Sequence, residues 1–295
     1  MARCLVTGHM GYIGSGLYKA LKKAGHEVMG IDLKDGHNIL ETLKPQSDGG
    51  FHRHWANFKP EYIFHLAAIP RVAYSVENPI EVIENNVLST LYVLEFARFV
   101  GAKRVIYSSS SSVIGNGQGP ESPYGASKYM PESMCGVWSR LYGVDAVALR
   151  YFNVYSPDQT AEGPYATAVA NWMQFIREEK NPFITGDGHQ RRDMANKLDV
   201  ISANIFCMEH DGAFDGQWFD VATGKNISLN EMKKIVLKYF PEIEFDYVQS
   251  RSGDVMSTKA DIKPLGSLGW LASKNIFDGV SECFAQLRDE LSQKQ

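Results

Sequence analysis

Between Arg3 and Asp32 the chain reads as strand, glycine turn, helix, strand and acid, an order that few folds accommodate. Arg3 to Thr7 is a short buried-strand pattern. Gly8, Gly11 and Gly14 follow it, then a helical run from about Tyr12 to Ala24 that Gly25 stops. Glu27 to Leu33 is a second strand carrying Asp32, eighteen residues beyond Gly14. Glycines let the backbone turn tightly and approach a pyrophosphate, whose charge the free N–H groups and dipole of the next helix stabilise. An acid at this distance accepts hydrogen bonds from the adenosine ribose and repels a 2′-phosphate, favouring NAD over NADP, while Lys34 nearby acts against that preference. A plain glycine turn with a surface aspartate is the competing reading.

The strand-and-helix alternation continues. The stretch from Gly36 to Lys59 is short for a full strand-and-helix unit, and its His52-x-His54 lacks any further ligand spacing, so solvent-facing histidines are expected there and no metal. Glu61 to Ala68 is a buried strand ending in small residues that admit a ligand. Pro79 leads a helix through Val100 that is apolar on more than one face. One side can pack on a sheet and the other pair with a second subunit. Arg104 to Ser108 is the next strand, followed by a helix from Ser127 to Tyr142, in which Pro131 is acceptable only near the first turn. Val144 to Arg150 is a further strand. The fold class is therefore α/β with a doubly wound parallel sheet. After Arg150 the chain turns to loops rich in Gly and Pro. Helices are expected from about Thr167 to Glu179, over Asp199 to Glu209, from a Ser228 cap to Tyr239 and near Ile276 to Leu291, with Gln217 to Ala222 rejoining the sheet.

The chemistry is placed between Ser108 and Lys128, where a serine run precedes Tyr124-Gly-Ala-Ser-Lys128. Open parallel sheets bind ligands at the C-terminal ends of their strands, which is where Ser108 falls. Phenol loses its proton near pH ~10, but an adjacent ammonium and a cationic cofactor both favour phenolate, so Tyr124 suits proton transfer near neutrality.

The rest of the composition bounds the function. A net charge of −4 over 295 residues gives no electrostatic case for nucleic acid or anionic membrane. Cys4, Cys135, Cys207 and Cys283 are scattered without metal-ligand spacing, which suits free thiols in a reducing compartment. No apolar run reaches the ~18 residues a bilayer span needs, and a strand pattern begins at once. The expectation is a soluble cytoplasmic protein.

Taken in order, Thr7-Gly8-x-x-Gly11-x-x-Gly14, Asp32, His65-Leu-Ala-Ala68, Asn85-Asn-Val87, Ser108-Ser-Ser110, Tyr124-x-x-x-Lys128, Arg150-Tyr-Phe-Asn153, Gly186-Asp-Gly188 with Arg192-Asp193, and Arg251-x-Gly-Asp254 resemble the extended short-chain dehydrogenase/reductases, most closely their nucleotide-sugar 4-epimerase branch. The resemblance runs almost end to end. It implies a Rossmann NAD-binding domain over 1–155 plus about 195–225, and a smaller C-terminal substrate-binding domain over about 156–194 plus 226–295. Ser110, Tyr124 and Lys128 would be catalytic. Gly8, Gly11, Tyr12, Ile13, Gly14, Asp32, Leu66, Ala67, Ala68, Asn86, Ser108, Tyr124, Lys128 and Tyr151 would hold NAD. Ser110, Tyr124, Asn153, Arg192, Arg251, Asp254 and Thr258 would hold a UDP-sugar, with no metal.

In such enzymes hydride passes from sugar C4 to NAD while the tyrosine accepts the O4 proton, and the 4-keto sugar turns over before hydride returns. Lys128 would bind the nicotinamide ribose and hold down the tyrosine's pKa. Ser111-Ser112 stands where related dehydratases carry an acid and a base and decarboxylases a glutamate, which argues against both. Only fourteen residues separate Ser110 from Tyr124, fewer than epimerases usually have, and Ser89 and Met194 also depart from the pattern. Thr258 falls where epimerases restricted to glucose and galactose carry tyrosine, leaving room for a 2-acetamido group. A homodimer through the 80–100 and 126–142 helices is implied too. The alternatives are an NAD(P)H-dependent 4-keto-sugar reductase and a dinucleotide-sensing scaffold.

Overall fold

A strand covered on both faces has no solvent side, so it runs apolar without alternation. Burial at every position of Ala146–Tyr151 follows that rule. The computed structural model describes residues 1–161, 167–249 and 256–293. Among them the strands are, in chain order, β1 (Arg3–Thr7), β2 (Glu27–Ile31), β3 (Tyr62–His65), β4 (Arg104–Ser110) and β5 (Ala146–Tyr151). Then come β6 (Phe183–Thr185), β7 (Arg191–Asp193), β8 (Trp218–Val221), β9 (Asn226–Ser228) and β10 (Asp246–Val248). The main sheet has the order β2-β1-β3-β4-β5-β8, parallel at every pairing from β2 to β5. This is the doubly wound arrangement, with the order reversing between β1 and β3.

The chain divides into two compact units, Met1–Tyr151 with Ile201–Asp220, and Phe152–Val200 with Val221–Gln295. In the first, the Tyr12–Lys23 helix buries Leu17 and Leu21 and turns Lys22 and Lys23 to its C-terminal end, where cations suit the dipole. The short stretch after β2 forms no strand. Asn38 caps a helix at Ile39–Thr42, and the His52 ring accepts the His54 N–H to cap another at Arg53–Phe58. His52 thus serves the backbone, and β2 remains the sheet edge. The run from Pro79 is helical to Val100, with a π-helical turn over Glu84–Leu88.

Two expectations need correction here. β4 continues two residues past Ser108, and the following helix begins at Pro123 instead of Ser127. The reason is a cap: the Ser122 hydroxyl accepts the Gly125 N–H at 3.0 Å, and Pro123 takes the first helical position, where its missing N–H costs nothing. Pro131 consequently lies inside a 20-residue helix, not in its first turn. An interior proline costs about 3 kcal/mol. Tertiary burial of the helix offsets that: Cys135 belongs to the core of the first unit, Met134 and Trp138 pack against it, and the Trp138 indole donates to Glu95 at 2.7 Å.

The second unit has its own core around Trp172, Phe240 and Phe284. β7 and β9 pair antiparallel, and β6 and β10 pair parallel. A reciprocal Ser228–Glu231 capping box starts the Leu229–Tyr239 helix. All four cysteines are buried thiols, and burial pushes each up to about 12. Among the described residues no helix is long and apolar enough to cross a membrane.

Candidate active site

β1 ends in Thr7, whose side chain organises the floor of a cleft. Its hydroxyl accepts the Leu66 and Ala67 N–H groups at 3.2 and 3.1 Å and bonds the His65 ring at 2.8 Å. His65 is fully enclosed, with Thr90 on its other nitrogen at 3.0 Å. Burial, and then the Lys128 charge, pushes it down to about 3. It is a neutral strut that fixes the loop after β3. Gly8, with φ of +71°, crosses this loop so closely that a Cβ would sit 2.8 Å from the Ala67 nitrogen. A Cβ on Gly14 would sit 2.0 Å from the Gly8 carbonyl oxygen. The helix start therefore packs directly on the turn, and Tyr12, Ile13 and Gly14 line the cleft, at the helix end whose dipole suits an anion.

At the end of β2 the Asp32 carboxylate takes the Met10 N–H at 2.8 Å and the Lys34 N–H at 2.9 Å, which tie it to the glycine turn. A carboxylate offers about four acceptor sites, so it retains capacity for a diol. The cleft encloses about 630 Å³ and is lined by Gly8, Gly11, Tyr12, Ile13, Gly14, Asp32, Leu66, Ala67, Ala68, Ser108, Tyr124, Lys128 and Tyr151. Its size is that of a cofactor pocket. The side-chain-free elbow, the helix start on the cleft lining and the locked acid together fit NAD.

Asn86 is not on this lining and Asn85 is. The Asn86 amide is consumed behind the cleft, accepting the Ile69 N–H at 2.8 Å and donating to Ser127 at 2.9 Å. Neighbouring residues on a helix point in different directions, and only the tertiary position of the π-helical turn decides which asparagine faces inward.

The Tyr124 and Lys128 side chains are 9% and 4% exposed. The Lys128 ammonium donates to the Ser108 carbonyl at 2.9 Å and lies 5.2 Å from the Tyr107 ring centroid. Burial pushes it down to about 7, with Glu132 acting upward. Burial raises the Tyr124 phenol, with the Ser110 hydroxyl bonded to it acting downward. This corrects the expectation that Lys128 holds the phenol down, because desolvation outweighs the hydroxyl here. Tyr151 is pushed up to about 12 by burial, against hydrogen bonds from Ser108 and Asn204.

Behind the lysine lies a charged group the sequence reading missed. Glu132 accepts from Arg150 Nε at 2.9 Å and from its terminal nitrogen at 2.6 Å, and also from the Ser109 hydroxyl. The repeat of Tyr124, Lys128 and Glu132 at four-residue spacing was the available signal.

In the second unit Asn153 and Arg192 line a separate cavity of about 280 Å³ with Trp172, Gln190 and Met194. Asn153 holds φ of +36° and donates to the Asp193 carbonyl at 2.9 Å, an unusual backbone that asparagine tolerates. Thr258 does not line this cavity. It pairs with β7, its N–H donating to the Arg191 carbonyl at 3.1 Å and its hydroxyl accepting the Asp193 N–H at 3.3 Å. Arg251 and Asp254 lie outside the described residues.

Fold and cleft define a short-chain dehydrogenase/reductase of the extended type. More narrowly, the chain belongs to the NAD dependent epimerase/dehydratase family, whose sequence profile matches residues 4–222. It is 31% identical to a putative UDP-glucose 4-epimerase of Methanocaldococcus jannaschii over 94% of this chain and 95% of that one. Among solved structures it resembles the UDP-N-acetylglucosamine 4-epimerase of Methanobrevibacter ruminantium in complex with UDP-N-acetylmuramic acid. The TM-score there is 0.86, with 29% identity and 99% of both chains covered. It also resembles the UDP-glucuronic acid 4-epimerase of Bacillus cereus bound to UDP-glucuronic acid and NAD, with TM-score 0.81, 27% identity, and 98% and 99% of the two chains covered.

Proposed function

We propose that the protein catalyses NAD-dependent 4-epimerisation of a UDP-sugar, with UDP-GlcNAc and UDP-GalNAc as the substrate pair. The observation that carries the reading is the buried Tyr124–Lys128 pair on the wall of a cleft built for a dinucleotide. Asp32, the glycine turn, Lys128 and Tyr151 are the proposed ligands of NAD. When bound, NAD supplies the reversible oxidation, in which hydride leaves sugar C4 and returns to the opposite face. Tyr124 takes the O4 proton at its phenolic oxygen and gives it back on reduction. To accept it the phenol must first ionise, so the Ser110 hydroxyl is assigned the task of offsetting part of the burial that opposes ionisation, and Lys128 that of holding the nicotinamide ribose. Asn153 and Arg192 are the proposed grips on the nucleotide diphosphate.

The N-acetylated substrate is supported by the likeness to the Methanobrevibacter enzyme. Exposed Ile80, Phe99 and Leu141 on the 79–100 and 123–142 helices support a homodimer. The test is to incubate purified protein with UDP-GlcNAc, UDP-glucose and UDP-glucuronate separately, adding no cofactor, and to follow the anomeric signals by proton NMR. UDP-GalNAc from the first supports the full proposal. Turnover of UDP-glucose or UDP-glucuronate alone retains epimerisation and removes the N-acetyl assignment. No turnover of any, with NADPH consumed on a 4-keto sugar, replaces it with a reductase.

A further inference from the structure

The Glu132 carboxylate is buried, 5% exposed, on the helix that carries Tyr124 and Lys128. It is held from two strands at once. Ser109 of β4 and Arg150 of β5 are register partners in the sheet, so their side chains leave on the same face, and both bond Glu132. Arg150 is itself 8% exposed, and its guanidinium packs 3.5 Å from the Trp218 ring centroid. Replacing such a pair by apolar residues is often neutral or stabilising, so stability alone does not account for a pair placed here. Its position does: Glu132 lies one helical turn beyond Lys128, on the same side of the helix.

We propose that Glu132 is a positioning residue, which keeps Lys128 charged in the dinucleotide cleft and seats its helix on the ends of β4 and β5 so that the ammonium reaches the Ser108 carbonyl. Arg150 orients the carboxylate and Ser109 completes its shell. The groups facing Lys128 are His65 from β3, Tyr107 and the Ser108 carbonyl from β4, Tyr124 and Glu132 from its own helix, and Tyr151 from β5. Of these Glu132 alone is a carboxylate. The lysine is enclosed by neutral partners that cannot replace that carboxylate.

The inference rests on the epimerase reading for its consequence in catalysis, but its test does not. In the purified holoenzyme, lysines labelled with 13C at Cε are titrated by NMR, with Lys128 assigned through a Lys128→Arg sample. Glu132→Gln is expected to lower the Lys128 midpoint by about one pH unit or more, and Glu132→Asp to restore most of it. If Glu132→Gln fails to fold, the double variant Glu132→Gln/Arg150→Met removes both charges, and its midpoint still falls, by less. A folded variant without the carboxylate whose Lys128 midpoint matches the wild type overturns the proposal. In parallel, the high-pH limb of epimerisation moves down with the midpoint. A wild type inactive on every UDP-sugar sinks the epimerase reading and leaves the titration to decide Glu132 independently.

Discussion

Replacing Lys128 by methionine should make the protein more stable and abolish its activity, and the pH dependence of the gain is the informative quantity. The lysine is lowered from 10.5 to about 7 by burial, so the folded state holds its proton less tightly than the unfolded chain does. The unfolded state then binds more protons between those values, and stability rises with pH across that window. The penalty is complete below about 7, shrinks as pH climbs and is gone above 10.5. At pH 7 it amounts to about 4 kcal/mol. Methionine removes it but also removes the neutral amine's donation to the Ser108 carbonyl, worth about 0.5–1.5 kcal/mol, the charged part being already contained in the shift. A net gain of about 3 kcal/mol at pH 7 is expected, lost by about pH 10 as the wild type recovers at up to about 1.4 kcal/mol per pH unit. Urea denaturation of both proteins, freed of nucleotide so that cofactor affinity does not enter, measures the difference at each pH. A difference that stays constant from pH 6 to 10 would show that Lys128 keeps an ordinary proton affinity in the fold and would refute the reasoning.

Tyr124→Phe should leave the fold and bound NAD intact while turnover falls by about 10²-fold or more; unchanged turnover in the anomeric NMR assay removes Tyr124 from the mechanism. Gly14→Ala places a methyl 2.0 Å from the Gly8 carbonyl oxygen, so the turn must open. The protein should lose retained NAD, read as the absorbance of nucleotide released on acid precipitation, and full occupancy would contradict the close packing inferred at the elbow. Light scattering at micromolar concentration should give a dimer's mass, reduced toward the monomer by Phe99→Glu with Leu141→Glu, whereas a wild-type monomer excludes the assigned interface.

The parts of the site that were legible in the sequence are those set by near neighbours in the chain. The glycine elbow, Asp32 at the end of β2 and the Tyr124–Lys128 spacing are local patterns, and local geometry carries them to one cleft. Choices that depend on rotation about a helix axis were not legible. Asn85 and Asn86 are adjacent and identical in type, yet one faces the cleft and the other braces Ile69. Pro131 reads as a first-turn residue until the Ser122 cap sets the helix start eight residues ahead of it, at Pro123. Thr258 reads as a pocket residue until its backbone is seen paired with β7.

Charge states belong to the same second group. The strand-and-helix alternation, the dinucleotide turn and the identities of the proton-transfer side chains are written in the chain, because hydrophobic periodicity and backbone permissiveness act within a few residues. Packing in space is what desolvates Lys128 and makes Glu132 its neighbour. The same packing seats that carboxylate on Ser109 and Arg150 and turns the Tyr124 burial against ionisation. Proton affinity depends on the dielectric and the charges surrounding a group in space, and those come from strands far apart in the chain.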